Sequence, residues 1–254
     1  MVTFRRASVQ RRPMNLFINI SGECLAVSPE TNKHYNLHMS TPNLKSCPRK
    51  LFISGIDTDA GKSYATGWLA SEMMRQGMSV ITQKFVQTGN QEFSEDIDVH
   101  RRLMGICMQP VDLAHLTAPV IFSYPASPDL AARIDGRNLD LDIITDATHR
   151  LLTQYDHVLI EGAGGLMVPL KGEYLTIDYV RDHHLPLVLV TNAKLGSINH
   201  TLLALNAIRA YGIDLFAVIF NHHFDNDKTI AEDTHDYVRN RLANHFPDTL
   251  FIDM

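Results

Sequence analysis

Gly55-Ile56-Asp57-Thr58-Asp59-Ala60-Gly61-Lys62-Ser63 decides how the rest of this sequence is read. The stretch fits GxxxxGK[ST]. It follows the apolar run Leu51 to Ser54 and leads into Ala65, Trp68, Leu69 and Met73 at helical spacing, with Gly77 as a stop. Strand, glycine loop and helix in that order are the context a phosphate-binding loop requires. Its glycines let backbone N–H groups converge on phosphate oxygens, and the helix N-terminus adds partial positive charge. Lys62 then reaches the outer phosphates and the Ser63 hydroxyl is placed to ligate Mg²⁺. The alternative is a glycine-rich turn that merely begins a helix; the complete nine-residue pattern with both flanks favours the phosphate loop.

The same alternation continues downstream. Ser79 to Gln83 reads as a strand, Asp96 to Met104 as a helix, and Leu141 to Gln154 as a helix with Ile143, Ile144, Ala147 and Leu151 on one face. Strands follow at His157 to Ile160, Leu187 to Thr191 and Leu215 to Phe220, the last two separated by a helix through Leu202, Leu203, Ala207 and Ile208. β-branched apolar strands alternating with amphipathic helices predict an α/β fold of the P-loop NTPase class, a mostly parallel, doubly wound sheet with helices on both faces. Ligands then belong at the carboxyl ends of the strands.

Upstream of this body the pattern fails. Residues 1–49 hold two Arg pairs and no sustained period of 2 or 3.6, so they read as a poorly structured extension, with the domain spanning 50–254. The Arg-rich, acid-free opening from Met1 to Leu16 has the composition of an organelle transit peptide; Met14 and Met39 equally fit an over-extended start. The chain carries −5 overall but +6 over residues 1–50, which leaves −11 on the remainder. An acidic body argues against a nucleic-acid surface. Three cysteines without a CxxC pair form neither a disulfide framework nor a zinc site, and a reducing cytoplasm is the expected compartment. No apolar run approaches the roughly 20 residues of a membrane helix. The adjacent pairs His183-His184 and His222-His223 lack the i, i+4 spacing of a zinc helix and read as exposed loop histidines.

A phosphate loop implies a nucleotide without implying a reaction, so the other strand ends must decide. Gln83-Lys84-Phe85-Val86-Gln87-Thr88-Gly89 puts a lysine where a strand gives way to a loop. Ile160-Glu161-Gly162-Ala163-Gly164-Gly165 puts a carboxylate before glycines, suited to metal ligation beside close backbone approach, or else a tight turn with an incidental Glu. Thr191-Asn192-Ala193-Lys194-Leu195-Gly196-Ser197-Ile198-Asn199-His200 is a polar loop entering a helix, with Asn199 also readable as its cap.

Together these segments resemble the dethiobiotin synthetase family, in collinear order from about residue 50 to about 225. The phosphate loop carries Asp57 and Thr58 in the family's diagnostic places; Lys84 to Gly89, Glu161 to Gly165 and Lys194 to His200 match further motifs. Phe85 stands where the family usually has proline, and the segment after Phe246 is short for completing an adenine pocket.

The resemblance implies closure of a cyclic urea from 7,8-diaminopelargonic acid, CO₂ and ATP, with ATP and Mg²⁺ required. It implies catalytic roles for Lys84, Lys62 and Thr58, and nucleotide contacts from Gly55, Asp57, Thr58, Asp59, Ala60, Gly61, Lys62, Ser63 and the base-facing Asn221. Mg²⁺ ligands are expected in Ser63, Asp96 and Glu161. Substrate contacts are expected from Lys84, Thr88, Ser127, Pro128, Gly164, Leu195, Gly196 and Asn199, the last three from a partner subunit of a homodimer. Two rivals share the phosphate loop. A cobyrinate-type amide ligase would bring a glutaminase domain with a Cys nucleophile, and a partition or metal-delivery switch ATPase usually has a second lysine early in the loop, where Ile56-Asp57-Thr58 stands instead.

Overall fold

The computed structural model describes residues 43, 44 and 46–254. In chain order these form β1 (Lys50–Gly55), α1 (Lys62–Arg75), β2 (Val80–Lys84), β3 (Gln87–Thr88), α2 (Glu95–Met104), α3 (Pro110–Leu113), β4 (Ile121–Phe122), α4 (Pro128–Ile134) and α5 (Leu141–Leu151). The second half adds β5 (His157–Gly165), β6 (Pro169–Lys171), β7 (Tyr174–Leu175), α6 (Thr176–Asp182), β8 (Leu187–Asn192), α7 (Ser197–Ala210), β9 (Leu215–Asn221), α8 (Lys228–His245) and β10 (Leu250–Asp253).

Six strands make one sheet in the order β10-β9-β8-β1-β5-β2, and every neighbouring pair is parallel. The chain leaves β1 toward β2 on one side and later builds β8, β9 and β10 on the other. That reversal beside β1 is the topological switch point of a doubly wound sheet, where a ligand crevice opens at the strands' carboxyl ends.

The sheet has no solvent face, which is why its strands read as continuous apolar runs. Phe52, Val158, Ile160, Leu187 and Leu189 point into one core, covered by Ile144 and Leu151 of α5, Ile177 of α6, Leu205 and Ile208 of α7, and Val238 of α8. Leu51, Ile53, Leu159, Val188 and Val190 point into the other, covered by Ala65, Leu69 and Met73 of α1.

Several expectations change. The body begins before residue 50: Leu44 is fully buried and Cys47 nearly so in the α1-side core, and the Leu44 N–H donates to Gln76 Oε1 at 3.0 Å. Two apolar side chains there gain more by covering the sheet than by trailing in water. The leader and start-site readings for Met1 to Leu16 lie outside the described residues. Ile143 and Leu203 belong to helices as expected but face outward, 49% and 60% exposed. The segment past Phe246 adds a sixth strand, with Leu250 to Asp253 in register with Ala217 to Phe220.

Candidate functional site

Gly61 sets the shape of the phosphate loop. It caps α1 at φ +93°, in the left-handed region, and a Cβ there would lie 2.2 Å from Asn221 Nδ2. Glycine is thus required on both conformational and steric grounds. Inside the loop the Lys62 ammonium donates to Asp57 O at 3.0 Å and Thr58 O at 3.1 Å. Burial lowers its pKa to about 8, although Glu161 pulls the other way. The loop, Ser63, Tyr64, Lys194 and Phe224 line a cleft of about 500 Å³.

Lys84 ends β2 and lies opposite Glu161 in the parallel ladder. Its Nζ is 2.7 Å from Glu161 Oε1 and 2.6 Å from Asp96 Oδ2, and donates to Gly162 O at 3.3 Å. Burial of the ammonium opposes charge, but the two carboxylates outweigh it and hold the pKa above the ordinary lysine value. Ser63 Oγ lies 2.8 Å from both Asp96 Oδ1 and Glu161 Oε1, and its single proton is donated to one of the two carboxylates at a time. The structure therefore brings together all three expected Mg²⁺ ligands from α1, α2 and β5, with Lys84 between two of them. Three hard oxygen donors of this kind suit Mg²⁺, which takes a few protein oxygens and keeps several waters.

Asp96 arrives in the first turn of α2, which Ser94 starts by accepting the Ile97 N–H at 3.2 Å. The buried face of that helix also presents His100 and Arg101, which the sequence reading missed. His100 Nε2 is 2.7 Å from Glu161 Oε2, and its Nδ1 is 3.0 Å from Thr82 Oγ1. Arg101 donates to Thr82 Oγ1 at 2.8 Å and grips Asp112 with two bonds of 2.9 and 2.7 Å. Arginine can only donate, so Thr82 Oγ1 accepts from it. The ionised Glu161 can only accept, so the proton between it and His100 sits on Nε2. Burial alone would raise the Glu161 pKa; Lys84 and His100 overcome this and hold the carboxyl far below its usual range.

The motif Glu161 to Gly165 explains how β5 serves both sheet and site. Ile53 pairs with Glu161 and Gly55 with Gly165, so β1 uses one residue where β5 uses three. Gly162 lies against Phe52, where a Cβ would be 2.8 Å from the ring, and Gly164 turns at φ +69°. Phe85 fills the family's proline position with an N–H donated to Glu161 O at 2.8 Å, a bond proline cannot make, and its ring packs on Phe52 and Tyr179 with centroids 5.4 and 4.7 Å apart.

The remaining expected residues divide. Thr58 and Asp59 are exposed on the loop, and the Thr58 N–H donates to Asp57 Oδ1 at 2.6 Å. Thr88 is half-buried in the short β3–β4 pair, beside which α4 begins at Ser127 and Pro128. Asn221 is buried with Nδ2 donating to Ala60 O at 3.1 Å and Oδ1 accepting the His223 N–H at 3.0 Å. Its amide thus holds the phosphate loop in this structure. Leu195 is 91% exposed. Gly196, at φ +95°, caps α7, so Asn199 is not the cap but an exposed residue of the first turn. Lys194 reaches back to Asp59 O at 2.9 Å with its ammonium 4.0 Å from the Phe224 ring centroid. The histidine reading needs correction, since only His184 and His223 are exposed; His183 stacks on Tyr179 and His222 is held between two carboxylates.

Residues 49–246 match the family described as an AAA domain. An ATP-dependent dethiobiotin synthetase BioD 2 of Pasteurella multocida (strain Pm70) is 46% identical over 200 residues, 79% of this chain and 94% of that one. A protein of the same name from Haemophilus ducreyi (strain 35000HP / ATCC 700724) is 48% identical over 204 residues, 80% of this chain and 97% of its own. The ATP-dependent dethiobiotin synthetase BioD of Chlorobaculum tepidum (strain ATCC 49652 / DSM 12025 / NBRC 103806 / TLS) is 48% identical over 205 residues, 80% and 86% respectively. Similarity of this degree spans nearly the whole length of each relative, and it falls on a chain whose phosphate loop, buried lysine and two carboxylates meet at one end of the sheet: the chain belongs to the ATP-dependent dethiobiotin synthetase family.

Proposed function

We propose that this crevice closes the ureido ring of dethiobiotin from 7,8-diaminopelargonic acid, CO₂ and ATP, releasing ADP and phosphate. The observation that carries the reading is Lys84: a buried ammonium held between Glu161 and Asp96 and joined through them to Ser63 of the phosphate loop. The second lysine of a switch ATPase stands early in the phosphate loop, whereas Lys84 stands at the end of β2 between two carboxylates, a position suited to a phosphoryl acceptor that is itself an anion.

The chemistry follows from that need. One substrate amine adds to CO₂ and forms a carbamate, whose oxygen leaves poorly. Transfer of the γ-phosphoryl to that oxygen makes a mixed anhydride, and the second amine attacks its carbonyl, expelling phosphate. No side-chain nucleophile is required; positioning and charge carry the rate. Lys84 neutralises the carbamate, Lys62 takes charge developing on the migrating phosphoryl group, and Thr58 and Thr88 donate hydrogen bonds. Ser63, Asp96 and Glu161 would hold Mg²⁺, which when bound screens the phosphate charge. His100 keeps Glu161 ionised and oriented. Gly164, Ser127 and Pro128 shape the diamine end, and Leu195, Gly196 and Asn199 of the partner subunit in a homodimer cap the substrate's carboxylate. The protein acts in the cytoplasm; no helix among the described residues is long and apolar enough to cross a membrane.

The test is phosphate release from ATP and Mg²⁺, with and without the diamine and bicarbonate, alongside mass detection of the product. Strict diamine dependence with a dethiobiotin mass is expected. Diamine-independent hydrolysis without that mass would leave only the fold and favour a switch ATPase.

A further inference from the structure

Outside the crevice, the carboxyl edge of the sheet gathers a second set of metal-competent groups. His222 follows β9, His235 lies on α8 and Asp253 ends β10, and one donor atom from each lies within 4.8 Å of the others. All three are half-buried. His222 Nε2 is 3.0 Å and His235 Nε2 2.8 Å from the same oxygen, Asp253 Oδ1. Arg239 donates to Oδ2 at 3.3 Å, which turns Oδ1 toward the rings.

The far nitrogens make the cluster informative. His222 Nδ1 is 2.6 Å from Asp225 Oδ2, and His235 Nδ1 is 3.2 Å from Asp236 Oδ1. Each imidazole therefore has a carboxylate oxygen at both nitrogens. A neutral ring carries one proton and satisfies one of those oxygens. Two arrangements complete the set. Either both rings are protonated, with centroids 5.6 Å apart, or both carry their proton on Nδ1. In the second case two lone pairs and a carboxylate oxygen converge with no proton between them, and a cation fills the gap. Carboxylates behind ligating imidazoles are the usual outer partners of a metal site, fixing the tautomer and raising ligand basicity. Asp225, Asp236 and Asp253 bring three negative charges against the one positive charge of Arg239.

We propose that His222, His235 and Asp253 form a site for a divalent transition-metal ion, with zinc the best match. Two imidazoles and one carboxylate suit Zn²⁺, whereas Mg²⁺ prefers an all-oxygen set. The site is separate from the expected Mg²⁺ ligands Ser63, Asp96 and Glu161. It clamps β9, α8 and β10 together one residue from Asn221, whose amide holds the phosphate loop. The ion thus fixes the strand end on which that loop rests.

The full chain, stripped with a chelator, is titrated with Zn²⁺ against a chromogenic competitor at pH 7.5, with millimolar Mg²⁺ present to keep the crevice ligands occupied. Co²⁺ is used in parallel for its visible d–d absorption. One equivalent of zinc is expected, with a raised melting temperature and cobalt bands of a four- or five-coordinate nitrogen and oxygen site. His222→Gln or His235→Gln should weaken binding at least a hundredfold, while His184→Gln, on an exposed histidine elsewhere, leaves it unchanged. Protons compete with the ion for the two ring nitrogens, so zinc affinity should weaken as the pH is lowered. Zinc binding whose stoichiometry and affinity are the same in His235→Gln would overturn the proposal. So would a parent protein that gains no thermal stability from zinc but gains it on acidification, the behaviour of a proton-held cluster.

Discussion

Lys62 faces two opposed demands, since the loop must bury its ammonium and the nucleotide must find it charged. Its pKa near 8, against 10.5 for an ordinary lysine, comes first from burial. Below pH 8 both folded and unfolded chains are protonated and the folded one carries the burial cost. Between about 8 and 10.5 only the unfolded chain keeps the proton, so this group makes stability rise with pH across that window. Nucleotide binding runs the other way, because triphosphate needs the ammonium. ATP affinity should be flat up to pH 8 and weaken by up to about tenfold per unit above it; calorimetric titrations at pH 7, 8 and 9 that gave one constant would refute this. Lys84 differs because two carboxylates keep it charged throughout. Lys84→Ala should lower diamine-dependent turnover by about 10²- to 10³-fold, the range for losing a preorganised electrostatic donor. ATP affinity in that variant, read by the same titration, should change by only a few fold, and a parallel collapse of both would show the lysine to be structural.

At the scale of elements, α2 marks the limit of what the sequence conveys. Its span was legible as Asp96 to Met104 against the observed Glu95–Met104, and the phosphate loop and Lys84 were legible because glycine spacing and a charge at a strand end are local signals. The Arg101 environment was not. Arg101 is among the largest fully buried side chains, yet a helical wheel assigns arginine to solvent. What buries it is Asp112, eleven residues away, and Thr82 on a neighbouring strand, partners that only the tertiary fold brings within reach. α8 escaped for a different reason. Its buried face is Ala231, Thr234, Val238 and Leu242, too small and polar for a clear periodic signal. The Arg101–Asp112 pair gives a test. Arg101→Met strands a buried carboxylate and should cost about 3–5 kcal/mol, whereas adding Asp112→Leu should recover most of it, because removing a whole buried pair is often close to neutral. Chemical denaturation of the parent, both single variants and the double variant measures the cycle. Turnover should not recover with stability, because His100 and Glu161 are oriented through the Thr82 hydroxyl that Arg101 holds.

For the molecule as a whole, the open question is what covers the surface beside the crevice. The described chain fills its own sheet on both faces, yet Leu195 stands 91% exposed at the mouth of α7 and Leu203 is 60% exposed on the same helix. Asn199 and Leu203 are four apart and share a face, while Ser197, Thr201, Leu205 and Ile208 turn inward. Large apolar groups grouped with an uncommitted amide in this way are suited to an interface more than to water. A second copy of this chain fits the proposed chemistry best, since in that reading Leu195, Gly196 and Asn199 of the partner subunit supply the donors for the diamine's carboxylate. Sedimentation should therefore give a dimer at micromolar concentration. Leu203→Glu should yield a folded monomer that still melts cooperatively, at a temperature lowered by the lost contribution of association. Asn199→Ala should stay dimeric and raise KM for the diamine by about ten- to a hundredfold, the worth of a hydrogen bond to a charged group, about 1.5–3 kcal/mol. Because the phosphate-loop residues proposed to hold ATP all belong to one chain, KM for ATP should hardly move in Asn199→Ala. A parent protein that is monomeric and fully active would remove the shared site, and equal losses for both substrates would trace the effect to a disturbed phosphate loop.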